Sequence, residues 1–184
     1  MLKQTIMISV VVALLSVTGS AKGNNGMHGQ HNQATTMVEL SDTQKEALSF
    51  MIEEEKVARD VYAYLYDIWG TRIFTNITQA EQKHMDAILI LINQYGLNAP
   101  STLESRGSFE NSELQALYDT LIEKGSNSLV DALEVGVMVE ETDIADLKEL
   151  LDAGVPSTIQ KVYQNLLKGS YNHLNAFNRQ LSRQ

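Results

Sequence analysis

Residues 74–95, FTNITQAEQKHMDAILILINQY, carry an apolar stripe at helical spacing that two ionisable side chains interrupt in its middle. Positions three or four apart lie on one face of a helix. Glu81 and His84 stand one turn apart on this face, which is how a core helix offers two ligands to one metal ion. The stretch therefore predicts a buried helix that bears a carboxylate and an imidazole. Its apolar members are Phe74, Ile77, Ile88, Leu91 and Tyr95.

The same stretch is also consistent with a second interpretation. Thr78 and Glu81 also fit the pattern of a capping box, in which the glutamate bonds the backbone at the start of a helix. The helix would then start later, and Glu81 would lie at its terminus. The apolar stripe continues upstream through Phe74, which favours a helix that begins near Thr71, after Gly70.

A preceding stretch predicts a first long helix with the same kind of interruption. Ser41 and Gln44 fit a capping box, and the apolar period continues to about Trp69. Glu55 lies in the middle of its stripe. Glu54 lies on a neighbouring stripe that is nearly as apolar, so periodicity does not choose between these two glutamates.

Two later stretches predict further long helices, at about 128–152 and 156–181. Glu140 is the polar member of the first apolar stripe, whereas the stripe through Glu141 is wetter. His173 is the ionisable exception in the second, where Ser170 stands three residues before it. Each of the four long helices therefore places an acid or a histidine near the middle of an inward face.

The connections predict how these helices are arranged. Short links join the helices of each pair, so paired helices are antiparallel neighbours. Residues 97–127 form a long connection between the pairs, with a short helix that Asn111 or Ser112 caps and that ends near Gly125. The sequence thus predicts an all-α fold of four long antiparallel helices with one long crossover that contains a short extra helix.

Packing these helices together would bring five ionisable side chains to one level of the core. Unpartnered carboxylates there would cost several kcal/mol each, so they must share protons with one another and the histidines, pair with a cation such as Arg59, or bind metal. Convergence from four helices favours metal. The predicted ligands are Glu55, Glu81, His84, Glu140 and His173.

The donor set narrows the metal. Carboxylates with imidazole suit iron or manganese, with zinc as a further candidate. Three glutamates supply three negative charges, one fewer than two divalent ions need. Either Glu54 or Glu141 turns in as a fourth carboxylate, or the site is mononuclear, or it holds one metal weakly and leaves positions open.

The chain resembles a known superfamily at these residues. Glu55-x-x-Ala58-Arg59-x-x-Tyr62 is similar to the first-helix signature of rubrerythrins, and Glu81-x-x-His84 to their second. The resemblance implies a ferritin-like four-helix bundle, favours Glu55 over Glu54 and makes Glu140 a bridging ligand. The segments EEEKVARDVY, AEQKH, EVGVMVEETDI and GSYNHLNAF more narrowly resemble a bacterial ferritin-like family, DUF2202, over about residues 41–182.

The chain departs from the superfamily at one position. The fourth helix of such proteins carries a second Glu-x-x-His, and Ser170 replaces that glutamate here. A symmetric di-iron centre is therefore in question. The resemblance implies redox chemistry of the oxidase or peroxidase type at metal, with Tyr62 as the nearest candidate for tuning a ligand. The alternatives are a metal-sequestering protein without turnover and a metal-free interaction module. Ferritin-like proteins form assemblies that range from dimers to cages, so the resemblance makes a homodimer one expectation for this chain.

The N-terminal residues predict where the protein is located, and the net charge indicates which partners it does not bind. Lys3, an apolar run at 6–17 and small residues at 19–21 predict a secretory signal peptide at 1–21, hence a periplasmic or secreted protein, with an uncleaved N-terminal anchor as the alternative. Residues 22–40 predict a flexible linker and 41–182 the folded domain. The formal charge of −9 without a basic patch argues against nucleic acid and against anionic membranes as partners of the mature domain. With no cysteine, no disulfide stabilises the fold.

Overall fold

The structure, a computed structural model, describes residues 38–184. The described residues form five α-helices and no strand, as the all-α prediction requires. The helices are α1 (Asp42–Trp69), α2 (Arg72–Gln94), α3 (Ser112–Gly125), α4 (Leu129–Ala153) and α5 (Ser157–Leu181). The predicted signal peptide at 1–21 and almost all of the predicted linker at 22–40 lie outside the described residues. None of the helices in 38–184 combines the length and the apolar character that a membrane span needs.

Local capping explains where the helices start. The Ser41 hydroxyl accepts from the Gln44 backbone N–H, and the Gln44 side chain accepts from the Ser41 backbone N–H, which is the predicted capping box. Asn111, rather than Ser112, caps α3. The competing start of α2 at Thr78 is wrong, because α2 begins at Arg72 and the Thr78 hydroxyl donates to the Phe74 carbonyl within the helix. Glu81 is therefore free to face the core.

The four long helices pack side by side in the cyclic order α1, α2, α5, α4, while α3 packs against α1 and α4. Two separate apolar clusters fill the space between the long helices. Helices α1 and α5 run from the cluster around Leu48 to the cluster around Phe177, and α2 and α4 run the opposite way. Every neighbouring pair in the cycle is thus antiparallel. The layer between the two clusters is where the ionisable residues lie.

The outer face of α1 anchors the crossover at 97–111 with buried charges. The Lys56 ammonium is fully buried, lies 2.5 Å from Asp60 Oδ2 and donates to the carbonyls of Ser105 and Ser108. Asp60 also accepts from the backbone N–H of Gly107. One turn earlier, the buried Glu53 carboxylate accepts from two backbone N–H groups and one hydroxyl of the same segment, at Glu110, Asn111 and Thr102. Charge-assisted bonds of this kind hold the crossover on the helix surface.

Candidate metal centre

All five residues predicted as metal ligands lie together in the polar layer between the two apolar clusters. Helix α1 supplies Glu55, α2 supplies Glu81 and His84, α4 supplies Glu140 and α5 supplies His173. The three glutamates are each 2 % exposed. The two imidazole rings stack with their centroids 5.7 Å apart. The mid-stripe positions converge because each helix reaches this layer near the middle of its length.

Glu81 is the centre of the arrangement, because each of its carboxylate oxygens faces a different histidine. Its Oε2 lies 2.7 Å from His84 Nδ1, and its Oε1 lies 2.9 Å from His173 Nδ1. His84 Nδ1 is also 3.1 Å from Glu55 Oε2, and His173 Nδ1 is 3.5 Å from Glu140 Oε2. Two triads result, Glu55–Glu81–His84 and Glu81–Glu140–His173, in each of which the ligand atoms lie within 4.8 Å of one another.

The electrostatics of the layer are those of crowded acids and bases. Burial acts to lower the pKa of His84, but its contacts with Glu55 and Glu81 outweigh burial and raise the pKa to about 11. For His173 the same opposition, with Glu140 and Glu81 as partners, raises the pKa to about 10. Burial opposes ionisation of Glu81, yet the two histidines lower its pKa to about 2. Without a metal, two imidazolium ions therefore supply the positive charge between these carboxylates.

Buried polar atoms without a hydrogen bond concentrate in this layer. Within residues 38–184, every such side-chain atom belongs to it. His173 Nδ1 and Glu81 Oε1 are among them, because their 2.9 Å contact is within ion-pair distance but is not aligned as a hydrogen bond. Buried polar groups are nearly always satisfied, so such a concentration needs an explanation. The atoms are both carboxylate oxygens of Glu54, Glu55 Oε1, Glu81 Oε1, Asp143 Oδ1, Asp146 Oδ2 and His173 Nδ1.

Sequence reasoning missed two acids of this layer, Asp143 and Asp146 on α4. Both are 7 % exposed. Burial raises the pKa of Asp143 to about 7, against the hydrogen bond that its Oδ2 accepts from the Ser170 hydroxyl. Asp143 could have been predicted from its position on α4. It lies one turn after Glu140, four residues after the buried Val139 and four residues before the buried Leu147.

The structure separates the two glutamates that were alternatives for a fourth carboxylate. Glu141 is exposed and lies outside the layer. Glu54 is 5 % exposed and turns towards Asp143 and Asp146 rather than towards the histidines. Burial, followed by these two acids, raises the pKa of Glu54 well above its ordinary value. Neither glutamate belongs to a triad among the described residues.

Arg59 does not neutralise the buried acids, which is the pairing that the metal-free hypothesis invokes. Its guanidinium donates instead to Asp60, to the Gln82 side chain at 2.8 Å and to the Leu103 carbonyl at 2.9 Å. Arg59 therefore belongs to the anchor of the crossover. The charges available to the acids within the layer are protons and the two imidazolium ions.

Tyr62 is both a core aromatic and a partner of the centre. Its ring is fully buried and packs against Phe74 and Phe177. Its hydroxyl donates to Glu140 Oε1 at 2.7 Å. The hydroxyl thereby fixes one oxygen of this carboxylate while Oε2 faces His173.

Gly169 on α5 makes the room that His84 occupies. A Cβ at this position would meet His84 Nε2 at 2.6 Å and Cε1 at 2.7 Å. Glycine-to-alanine changes inside a helix ordinarily stabilise it by about 1 kcal/mol. We expect Gly169→Ala instead to displace the imidazole, a proposed ligand, and to weaken manganese binding by the metal-free protein at least about tenfold, since even the loss of a residue that only orients a ligand costs about 10–100-fold in affinity. Calorimetric titration with Mn²⁺ measures it.

Gly125→Ala is the matched control for this variant. The added Cβ would meet Leu65 Cδ2 at 2.7 Å, an equally close approach in the apolar cluster around Phe177 rather than at the centre. We expect this control to lower the unfolding midpoint while manganese affinity stays unchanged. Equal affinities of the two variants for Mn²⁺ would show that the space at Gly169 does not serve His84.

The fold and the site together define a class of protein. The described chain is an all-helical protein with a buried glutamate–histidine centre that has the donor set for a divalent metal ion. Comparison with known families then gives one match over most of the chain: residues 44–184 match the family described as "Uncharacterized protein domain (DUF2202)". The chain belongs to the DUF2202 family.

One known protein is similar to this chain in both sequence and fold, and a second is similar in fold alone. The chain is 47 % identical over 143 residues to the uncharacterized protein MJ0754 of Methanocaldococcus jannaschii, covering 78 % of this chain and 77 % of that protein. The crystal structure of the hypothetical protein MJ0754 superposes with a TM-score of 0.79 at 44 % identity, over 82 % of this chain and 86 % of that one. The crystal structure of a DUF305 fragment from Deinococcus radiodurans superposes with a TM-score of 0.57 at 12 % identity, over 78 % of this chain and 98 % of that one. It shows similarity of fold alone.

Proposed function

We propose that this protein is a ferritin-like metalloprotein that holds two divalent metal ions through the ligands of the two triads. Iron is the first candidate for the metal and manganese is the second. The observation that carries the proposal is the concentration of unsatisfied buried oxygen and nitrogen atoms in one layer. Two cations would satisfy those of the atoms that belong to the triads, on Glu55, Glu81 and His173, and would offset the repulsion among the carboxylates. The cyclic antiparallel packing of four long helices, each of which contributes a ligand, supports assignment to the ferritin-like class.

The residues of the chain have separable roles in this proposal. Glu81 would serve both metal positions, because its two oxygens face the two histidines. Glu55 and Glu140 would each complete one triad. The Tyr62 hydroxyl orients Glu140, and the Phe74 and Phe177 rings beside Tyr62 exclude water from this end of the layer. Both histidines must lose a proton before binding a cation at Nδ1, so metal uptake would release protons.

A bound redox metal would supply one-electron chemistry towards oxygen or peroxide. We propose oxidoreductase activity of this kind for the protein, with metal sequestration without turnover as the rival. The two differ in whether the bound metal changes oxidation state. Zinc also fits the donor set, but it has no redox chemistry and would leave only the binding role.

Metal content and redox response together test the proposal. The protein is purified without chelators or an affinity tag and is then loaded anaerobically with ferrous iron. Elemental mass spectrometry is expected to find about two metal ions per chain. Adding peroxide or oxygen should change the oxidation state of the iron, read by absorption. Two ions that never change oxidation state would support sequestration. No bound metal after loading would overturn the metalloprotein proposal.

We propose further that the protein is exported, on the basis of the predicted signal peptide at residues 1–21. The intact mass of the protein recovered from a bacterial periplasmic fraction checks this, since removal of the segment leaves a chain that starts near residue 22. A full-length mass in the cytosolic fraction would contradict it. The homodimer stays a prediction, which light scattering at several concentrations can check.

A further inference from the structure

We infer that Asp143 is a fourth carboxylate ligand of the centre and that the Ser170 hydroxyl holds it in place, an inference that rests on the proposed metal function. The juxtaposition that carries it is between α4 and α5. The Ser170 hydroxyl donates to Asp143 Oδ2, and Asp143 Oδ1 is buried without any hydrogen-bond partner. One oxygen of the carboxylate is thus fixed by the protein and the other is left free to bind a cation.

Asp143 has the position that a ligand requires. It lies one turn after Glu140 on α4, so both carboxylates project from the same face of this helix. It is 7 % exposed, and Ser170 is 1 % exposed. Asp143 lies outside both triads, but it is one turn from Glu140 on α4, and its partner Ser170 is one turn from His173 on α5. Its carboxylate therefore lies beside the triad that contains Glu140 and His173.

The departure at Ser170 then has a physical explanation. In the resemblance to rubrerythrins a glutamate is expected at this position of α5, three residues before His173. Here the neighbouring helix α4 carries the carboxylate, and α5 carries the small hydroxyl residue that orients it. Relative to that expectation, the carboxylate comes from α4 instead of α5. In both arrangements it lies between these two helices.

Charge neutrality favours the same assignment. The glutamates of the two triads supply three negative charges, and two divalent ions supply four positive ones. A buried centre that keeps a net charge is costly, so a fourth carboxylate within the layer stabilises the loaded state. Glu54 is also buried in this layer, but no serine hydroxyl or backbone N–H donates to either of its oxygens, whereas Asp143 Oδ2 accepts from Ser170. Asp143 is the acid that the protein has oriented.

An exchange of the two side chains gives the sharpest test. The variants are Asp143→Ser, Ser170→Ala and the double variant Asp143→Ser with Ser170→Asp, which keeps the composition and the net charge of the chain. Each is loaded anaerobically with ferrous iron and desalted, and iron per chain is measured; Mn²⁺ titration of the metal-free proteins gives affinities. Glu141→Gln, an exposed change beside Glu140, is the control for charge removal from α4.

We expect Asp143→Ser to hold about one iron where the unchanged protein holds about two, and the double variant to regain the second. Ser170→Ala should keep both ions but bind Mn²⁺ about tenfold more weakly, as loss of an orienting partner does. Asp143→Asn has nearly the same shape as the natural residue and repeats the stoichiometry test if the serine variant unfolds. Thermal unfolding of each metal-free variant shows whether it is folded.

Two results would overturn the inference, and they differ from failure of the proposed function. If Asp143→Ser or Asp143→Asn binds as much metal, as tightly, as the unchanged protein, Asp143 is not a ligand although the metal function stands. If the double variant binds no more metal than Asp143→Ser, the two positions are not interchangeable and the displaced-carboxylate explanation is wrong. An unchanged protein that takes up no metal overturns both proposals together.

Discussion

Glu81→Gln is expected to abolish metal binding at both triads, the largest functional effect of any single change in this protein. Glutamine keeps the size of the side chain but replaces a charged oxygen that faces His84 or His173 with an amide. Because the same carboxylate would serve both proposed metal positions, one substitution would remove a ligand from each. Iron per chain after anaerobic loading should fall from about two to near zero. A change at Glu55 or Glu140 should instead weaken one position more than the other.

Glu141→Gln is the matched control for this prediction, since it makes the same chemical change at an exposed position of α4. Its iron content should equal that of the unchanged protein. The metal-free Glu81→Gln protein should still unfold cooperatively, because the apolar clusters on both sides of the layer are intact. Full iron content in a folded Glu81→Gln variant would contradict the shared role of this carboxylate.

Asp60→Asn is expected to cause the largest loss of stability among changes outside the centre. The substitution leaves the Lys56 ammonium, which is 0 % exposed, without its anionic partner at 2.5 Å. Removing one partner of a buried ion pair costs about 3–5 kcal/mol, because the remaining charge stays desolvated. The free energy of unfolding, obtained from urea denaturation of the metal-free protein, measures the loss.

Asp67→Asn is the control, since it removes the same carboxylate from an exposed ion pair of α1. The Asp67–Arg106 pair joins α1 to the crossover, and its side chains are 62 % and 43 % exposed, so its loss should cost less than about 1 kcal/mol. The double variant Lys56→Met with Asp60→Asn removes the buried cation as well and should regain most of the stability. Equal losses for Asp60→Asn and Asp67→Asn would show that burial does not determine the strength of the anchor.

The sequence by itself determined the helices and the principal residues of the centre. Each helix is predicted by its own apolar stripe and capping residues, such as Ser41 and Gln44 for α1. This is possible because helical periodicity and capping depend on residues within a few positions of one another. The five proposed ligands were recognisable for the same reason: each is an ionisable residue in an otherwise apolar stripe. Their convergence needed only that four helices of similar length pack together.

Only the tertiary structure decided which other acids share the layer and what the crossover does. Asp143 shares a helix face with Glu140, but its partnership with Ser170 joins residues 27 positions apart, on two helices whose relative rotation no local pattern fixes. Arg59 was a candidate partner of the core acids, but in the fold it contacts Asp60 on α1, Gln82 on α2 and the Leu103 carbonyl of the crossover instead. A stripe shows that a side chain is buried, whereas its partner depends on how the neighbouring helix is rotated and where the connecting segment lies.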